Sequence, residues 1–181
     1  MSQEPDPELR EALLAAVPGL RAFAISLSGQ VDRADDLVQD TLLRALSNLH
    51  RFEPGTNLNA WLFTILRNLF HSEYRKRRRE VEDPDGSYAG RLRVQPEQGA
   101  HLDFEDFRSA LSQLPSDQRE ALLLVGASGF SYEEAANICD CAVGTIKSRV
   151  NRARIRLASL LNVDDIEDLG PDSMTRAALQ G

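Results

Sequence analysis

Between Ala142 and Leu161 the chain carries Lys147, Arg149, Arg152, Arg154 and Arg156 and no Asp or Glu. Guanidinium and ammonium groups at that density neutralise phosphate oxygens, and Arg, Lys, Asn and Ser also hydrogen-bond base edges in a major groove. Thr145, Lys147, Ser148, Arg149, Asn151 and Arg152 are therefore candidate DNA contacts. The alternative for any run of Arg is a solvated basic face with no ligand. What separates the two readings is the scaffold beneath the charges.

That scaffold reads as a helix-turn-helix. Ser131 and Glu134 form the S-x-x-E pattern of a capping box, in which each side chain satisfies a free backbone N–H at a helix start. Ala135, Ala136 and Ile138 are small or apolar where this first helix must meet a second, and Cys139-Asp140-Cys141 breaks the run. The next helix opens near Ala142 with Ile146, Val150, Ala153, Leu157 and Leu160 on one apolar stripe. At about 100° per residue, Gly144, Ser148, Asn151, Arg152 and Ile155 fall opposite it, with Thr145 and Arg149 on one flank and Lys147 on the other. A capped pair with so short a turn is the geometry that lays side chains into a major groove.

A second constellation lies earlier. From about Leu58 to Arg79 the spacing predicts an amphipathic helix with Leu58, Trp61, Leu62, Ile65 and Leu69 inward and Phe63, Arg67, His71, Tyr74, Arg75 and Arg78 outward. Rings beside Arg hold unstacked bases while the cations neutralise phosphates. The run EYRKRRRE is equally compatible with an ordinary helix end, where cations are stabilising in any case.

The remaining elements are helical too. Pro7 to about Leu27 reads as a helix in Leu9, Leu13, Leu14, Val17, Leu20, Phe23 and Ala24, and Pro18-Gly19 either kinks it or divides it in two. The segment after Asp32 buries Ala34, Leu37, Val38, Thr41, Leu42, Ala45 and Leu49, leaving Leu43 beside Asp36, Gln39 and Asp40. A lone exposed Leu needs no explanation, whereas an apolar centre ringed by acid also describes a docking face for a protein. FEPGTNLN at Phe52 to Asn59 is a loop, and Val81 to His101, with two Pro and three Gly, is a linker. Beyond it, one helix runs from Leu102 to Leu114, and Ser116 is expected to cap another that runs to Gly126.

At 181 residues the chain fits one domain or two small ones, by a prior of about 100 to 200 residues per domain. Its net charge of -7 is unevenly placed, with acid at both ends and in the linker and two basic stripes between. Such a chain binds DNA weakly by itself and depends on a protein partner. No apolar run approaches the roughly 20 residues of a membrane span, and the acidic start MSQEPDPELR differs from a signal peptide, so a soluble intracellular protein is expected. Cys139 and Cys141 are too few for a disulfide framework, and no His spacing completes a zinc site, which takes about four ligands. No nucleophile or acid/base pair stands out for an enzyme.

Taken together these segments resemble a bacterial sigma factor of the extracytoplasmic-function (ECF) group, the minimal kind that keeps only the second and fourth sigma domains. The resemblance rests on DDLVQDT at Asp35 to Thr41, NLNAWLFTILRN at Asn57 to Asn68, LPSDQREAL at Leu114 to Leu122, and SYEEAA to VGTIKSRVNRAR from Ser131 to Arg154. The wording ICDCAVGTIKSRVNRAR at Ile138 to Arg154 is most similar to the alphaproteobacterial general-stress-response subgroup. It implies an all-α fold: sigma region 2 over 1–80, a linker over 81–101, sigma region 4 over 102–161, and a tail over 162–181 with no assigned role.

The resemblance also implies partners and roles. Asp36, Gln39, Asp40 and Leu43 would dock on the β′ clamp helices of core RNA polymerase, and region 4 would meet its β flap. Asn57, Arg67, Asn68, His71, Tyr74, Arg75 and Arg78 would read the minus-ten element of promoter DNA, Asn68 walling the pocket of a flipped base from nearer the buried edge than Arg67. Lys147, Ser148, Asn151 and Arg152, with Thr145 and Arg149, would read the minus-thirty-five element. An anti-sigma protein, NepR-like in that subgroup, would mask the polymerase contacts. No cofactor, metal or membrane is implied. The sequence departs from many relatives at Asp140, where Gly is common because the turn needs a left-handed backbone. The alternative from a different class is a sigma-like decoy that binds the anti-sigma protein and never touches promoters; such mimics usually add a receiver domain and lose the DNA-facing residues. A simple helix-turn-helix repressor would leave the first domain unexplained.

Overall fold

The structure, a computed structural model, describes residues 6–80 and 102–162, and the linker and tail expectations fall outside them save for Asn162. The described residues form seven α-helices with no strand. The chain divides into two compact units, Met1–Arg93 and Val94–Gly181.

The first unit is a three-helix assembly of α1 (Pro7–Ser28), α2 (Val31–Ser47) and α3 (Leu58–Glu80), with a short 3-10 turn at Leu49–Arg51. Its core is Leu13, Leu20, Phe23 and Leu27 of α1, Ala34, Leu37, Val38 and Ala45 of α2, and Leu62, Phe63 and Leu66 of α3. Full burial of a large apolar side chain such as Leu20 stabilises by roughly 1.5–3 kcal/mol. Thr41 joins this core because its hydroxyl donates to the Leu37 carbonyl at 2.7 Å, which satisfies the buried polar group. Gly29 closes α1 at φ 70, where its N–H donates to the Ile25 carbonyl at 2.8 Å.

Of the two alternatives at Pro18, the structure has one continuous α1. The bond that Pro cannot make is the one to the Leu14 carbonyl. Leu14 is 63% exposed, so water can take that place. Helix α1 also corrects the reading of hydropathy: by length and composition it could cross a membrane, its most apolar window averaging a mean hydropathy of 1.3. Leu13, Leu20, Phe23 and Leu27 are instead buried where α1 meets α2 and α3, as a core helix uses them.

Helix α3 departs further from its expected orientation. Phe63, placed outward by the periodicity, is 3% exposed and meets Phe23 at 5.1 Å between ring centroids. Leu66 is fully buried, while Leu58, Trp61, Ile65 and Leu69 are half-buried. The helix is therefore turned about its axis by roughly a quarter relative to the simple wheel. The reason is that α3 packs on both α1 and α2, and Trp61 finds a partner outside the helical core in Phe52, at 5.3 Å.

In the second unit α4 (Leu102–Ser112) and α5 (Ser116–Leu122) precede α6 (Tyr132–Cys139) and α7 (Val143–Leu161). Ser116 does not cap α5. Pro115 holds that position, its fixed φ suiting a helix entry, and Ser116 is the first helical residue. After Leu122 the helix widens into a π turn over Leu123–Ala127, closed by the Ser128 N–H on the Leu123 carbonyl at 2.9 Å. Ala121, Leu124, Phe130, Ala135, Ile138, Ile146, Val150, Ala153 and Leu157 make the core. Glu120 is buried as well, and burial lowers the Arg119 pKa, against the smaller opposing pull of the adjacent Glu120 carboxylate.

Candidate nucleic-acid interface

The helix-turn-helix is built by the chemistry its sequence announces. The Ser131 hydroxyl accepts from the Glu134 N–H at 3.1 Å, and a Glu134 carboxylate oxygen accepts from the Ser131 N–H at 2.9 Å. Asp140 ends α6 at φ 52 and ψ 53, a left-handed residue, while the Cys141 N–H donates to the Ala136 carbonyl at 3.0 Å. This is a Schellman closure made without Gly. The departure from Gly at Asp140 thus leaves the turn intact, as a short polar side chain tolerates that backbone. Ala142, which has no side-chain oxygen to offer, precedes α7.

Along α7 the buried side is Ile146, Val150, Ala153 and Leu157, and Leu160 is half-buried near the helix end. Lys147, Ser148, Asn151 and Arg152 are exposed, as is Ile155 at 50%. Thr145 and Arg149 are half-buried on the flank. Arg154 leaves the basic surface: it is 9% exposed, one position round from the stripe of Val150 and Leu157. Lys147 lies over the Tyr132 ring at 5.8 Å from its centroid, which limits the swing of its ammonium. Arg149 is held twice, by an Asp117 carboxylate oxygen 3.4 Å from Nε and by the Cys141 sulfur 3.9 Å from Nη1.

In the first unit, α3 presents Asn68, Tyr74, Arg75 and Arg78 to solvent, with Arg67 and His71 half-buried. The expected order of Asn68 and Arg67 is reversed, because the quarter-turn that buries Phe63 swings Asn68 outward. Tyr74 is 43% exposed and stacks on Phe70 at 6.4 Å, and the Arg33 guanidinium covers Phe70 at 5.4 Å. Burial lowers the Arg33 pKa, and nearby Arg77 adds to that effect while Glu73 opposes it. Asn57 uses its side-chain oxygen to accept from the Ala60 N–H at 3.2 Å, so it caps the start of α3 and fixes the loop before it. On α2, Asp36, Gln39 and Asp40 are exposed around Leu43, itself 59% exposed. A groove between α2 and α3 sets Asp36 and Asp40 near Lys76 and Arg77.

Arg33, Asp117 and Tyr132 escaped the sequence reading. Each acts on a residue distant in the chain, and no local spacing signals such a pair.

An exposed row of polar and cationic side chains thus lies on the second helix of a helix-turn-helix, and a separate helical unit with a cationic helix precedes it in the chain. Residues 14–80 match Sigma-70 region 2 and residues 104–157 match Sigma-70, region 4. The chain is 73% identical over 173 residues to the ECF RNA polymerase sigma factor EcfG of Rhodopseudomonas palustris, covering 96% of each. It is 37% identical over 145 residues to the ECF RNA polymerase sigma factor SigC of Mycobacterium tuberculosis, covering 78% of this chain and 77% of that one. Among solved structures, the sigma factor RpoE in complex with the anti-sigma factor NepR from Bartonella quintana is 57% identical, with a TM-score of 0.80 over 88% of this chain and 100% of that one. The chain belongs to the ECF RNA polymerase sigma factors.

Proposed function

We propose that this sigma factor directs core RNA polymerase to general-stress promoters and is held inactive by a NepR-like anti-sigma protein. The observation that carries this reading is α7, where Lys147, Ser148, Asn151 and Arg152 stand exposed opposite a buried stripe. With Thr145 and Arg149 on their flank, they read the minus-thirty-five element. Helix α3 supplies the minus-ten surface: Arg67, His71, Arg75 and Arg78 approach phosphates, Tyr74 offers a ring for stacking, and Asn68 and the loop fixed by Asn57 meet the flipped base. Asp36, Gln39, Asp40 and Leu43 dock on the β′ clamp helices, and the second unit meets the β flap. The mechanism requires no covalent step, metal or cofactor: docking supplies the energy that places both DNA-reading surfaces, and base capture stabilises the melted strand. Residues 1–80 and 102–161 divide these tasks, with 81–101 as the tether. The protein works in the cytoplasm, at the nucleoid when active.

The NepR-like partner is supported by the likeness to RpoE, solved with NepR. High identity to sigma factors and intact DNA-facing residues favour this reading over the decoy. Run-off transcription with core polymerase on a general-stress promoter tests it. Transcripts should appear only with the protein and should fall when a NepR-like protein is added. A chain that captures the anti-sigma protein yet yields no transcript is the decoy.

A further inference from the structure

Arg149 carries the sequence signature of a DNA contact, yet its guanidinium is turned to other work. Nε lies 3.4 Å from an Asp117 carboxylate oxygen on α5, and Nη1 lies 3.9 Å from the Cys141 sulfur in the turn between α6 and α7. The other Asp117 oxygen accepts from the Gln118 N–H at 2.9 Å, which orients the carboxylate. One side chain of α7 thus bridges α5, the turn and its own helix. Its side chain is 27% exposed, whereas Lys147 and Arg152 are exposed on the DNA side.

We infer that Asp117 is a positioning residue for promoter reading and that Arg149, through which it acts, is a strut and not a reader. This rests on the assignment of α7 to the minus-thirty-five element. Side chains that read base edges must be placed within about 0.5 Å and 10–20°, and it is the groups behind them that set this. A half-exposed ion pair contributes little to folding stability, so its value lies in fixing the rotation of α7 against α5. The near ends of Ser148 and Asn151 move with that rotation, being on the same helix.

The test uses holoenzyme assembled from core polymerase and the full chain. Its affinity for a promoter duplex and for the same duplex with a scrambled minus-thirty-five element is measured across a salt series. Asp117→Asn should lower discrimination by about tenfold, the scale of one weakened base contact, with the slope of affinity against salt unchanged. Arg149→Gln should do the same, the double variant should be no worse than either single one, and Asp117→Glu should retain discrimination. A slope reduced by about one in Arg149→Gln makes Arg149 a phosphate contact and overturns the inference. So does Asp117→Asn binding as well as the parent or tighter, since the carboxylate would then only compete with phosphate. Arg152→Ala in the same assay separates the two levels. If it costs discrimination while the Asp117 and Arg149 variants do not, the α7 assignment stands and the strut falls; if it too is silent, the assignment itself fails.

Discussion

Arg152 has the length, exposure and planar fork to hold a guanine edge, and it stands outside the buried stripe of α7. Arg152→Ala should weaken specific promoter binding by the holoenzyme by about 1–3 kcal/mol, measured as the affinity difference between cognate and altered minus-thirty-five sites. Equal losses on both sites would make it a phosphate contact instead. Asp140 shows a different kind of residue effect, since its φ of 52 is imposed by the turn. Asp140→Gly should raise the stability of the second unit by about 1 kcal/mol in chemical denaturation, because Gly adopts that backbone without strain. An unchanged midpoint would mean that the Asp side chain makes its own compensation. Both residues were visible as chemical types in the chain; the tie between Arg149 and Asp117 was not, because 32 residues separate them.

At the scale of the element, α6 and α3 teach opposite lessons. The capping box of α6 is local, so Ser131 and Glu134 disclosed it, and Ser131→Ala should cost about 1 kcal/mol of stability in denaturant titration. For α3, periodicity chose an inward face that the fold then rotated. Phe63 illustrates the result: as a core residue against Phe23, its replacement by Ala should destabilise the first unit by about 3–5 kcal/mol. Had Phe63 been a base-stacking surface ring, the same change would leave thermal unfolding nearly untouched and reduce only binding of single-stranded minus-ten DNA. Tyr74, backed by Phe70, is the exposed ring of α3.

At the scale of the molecule, each unit has its own core, from Leu20, Leu62 and Leu66 in the first and from Leu124, Ile146 and Leu157 in the second. Fragments 6–80 and 102–162 should therefore each give a helical circular-dichroism spectrum and a cooperative thermal transition. Ile146→Ala should lower the transition of the second fragment, by about 2–5 kcal/mol, and leave the first unmoved. A fragment that is unfolded alone would show that its core needs the rest of the chain. The net charge of -7 belongs to this scale too: it opposes indiscriminate DNA binding while the basic faces stay local.

Helix content, the capped pair, the polarity of α7 and the acid-ringed Leu43 were determined by neighbours within a turn or two of each other, which is why the order of residues disclosed them. Which third of α3 faces inward, how far Asn68 stands from the core, that α1 spends its hydropathy on packing, and where the Arg149 guanidinium is tied were decided only when distant helices met. A helix has several faces apolar enough to bury, and the choice among them belongs to the surface it packs against.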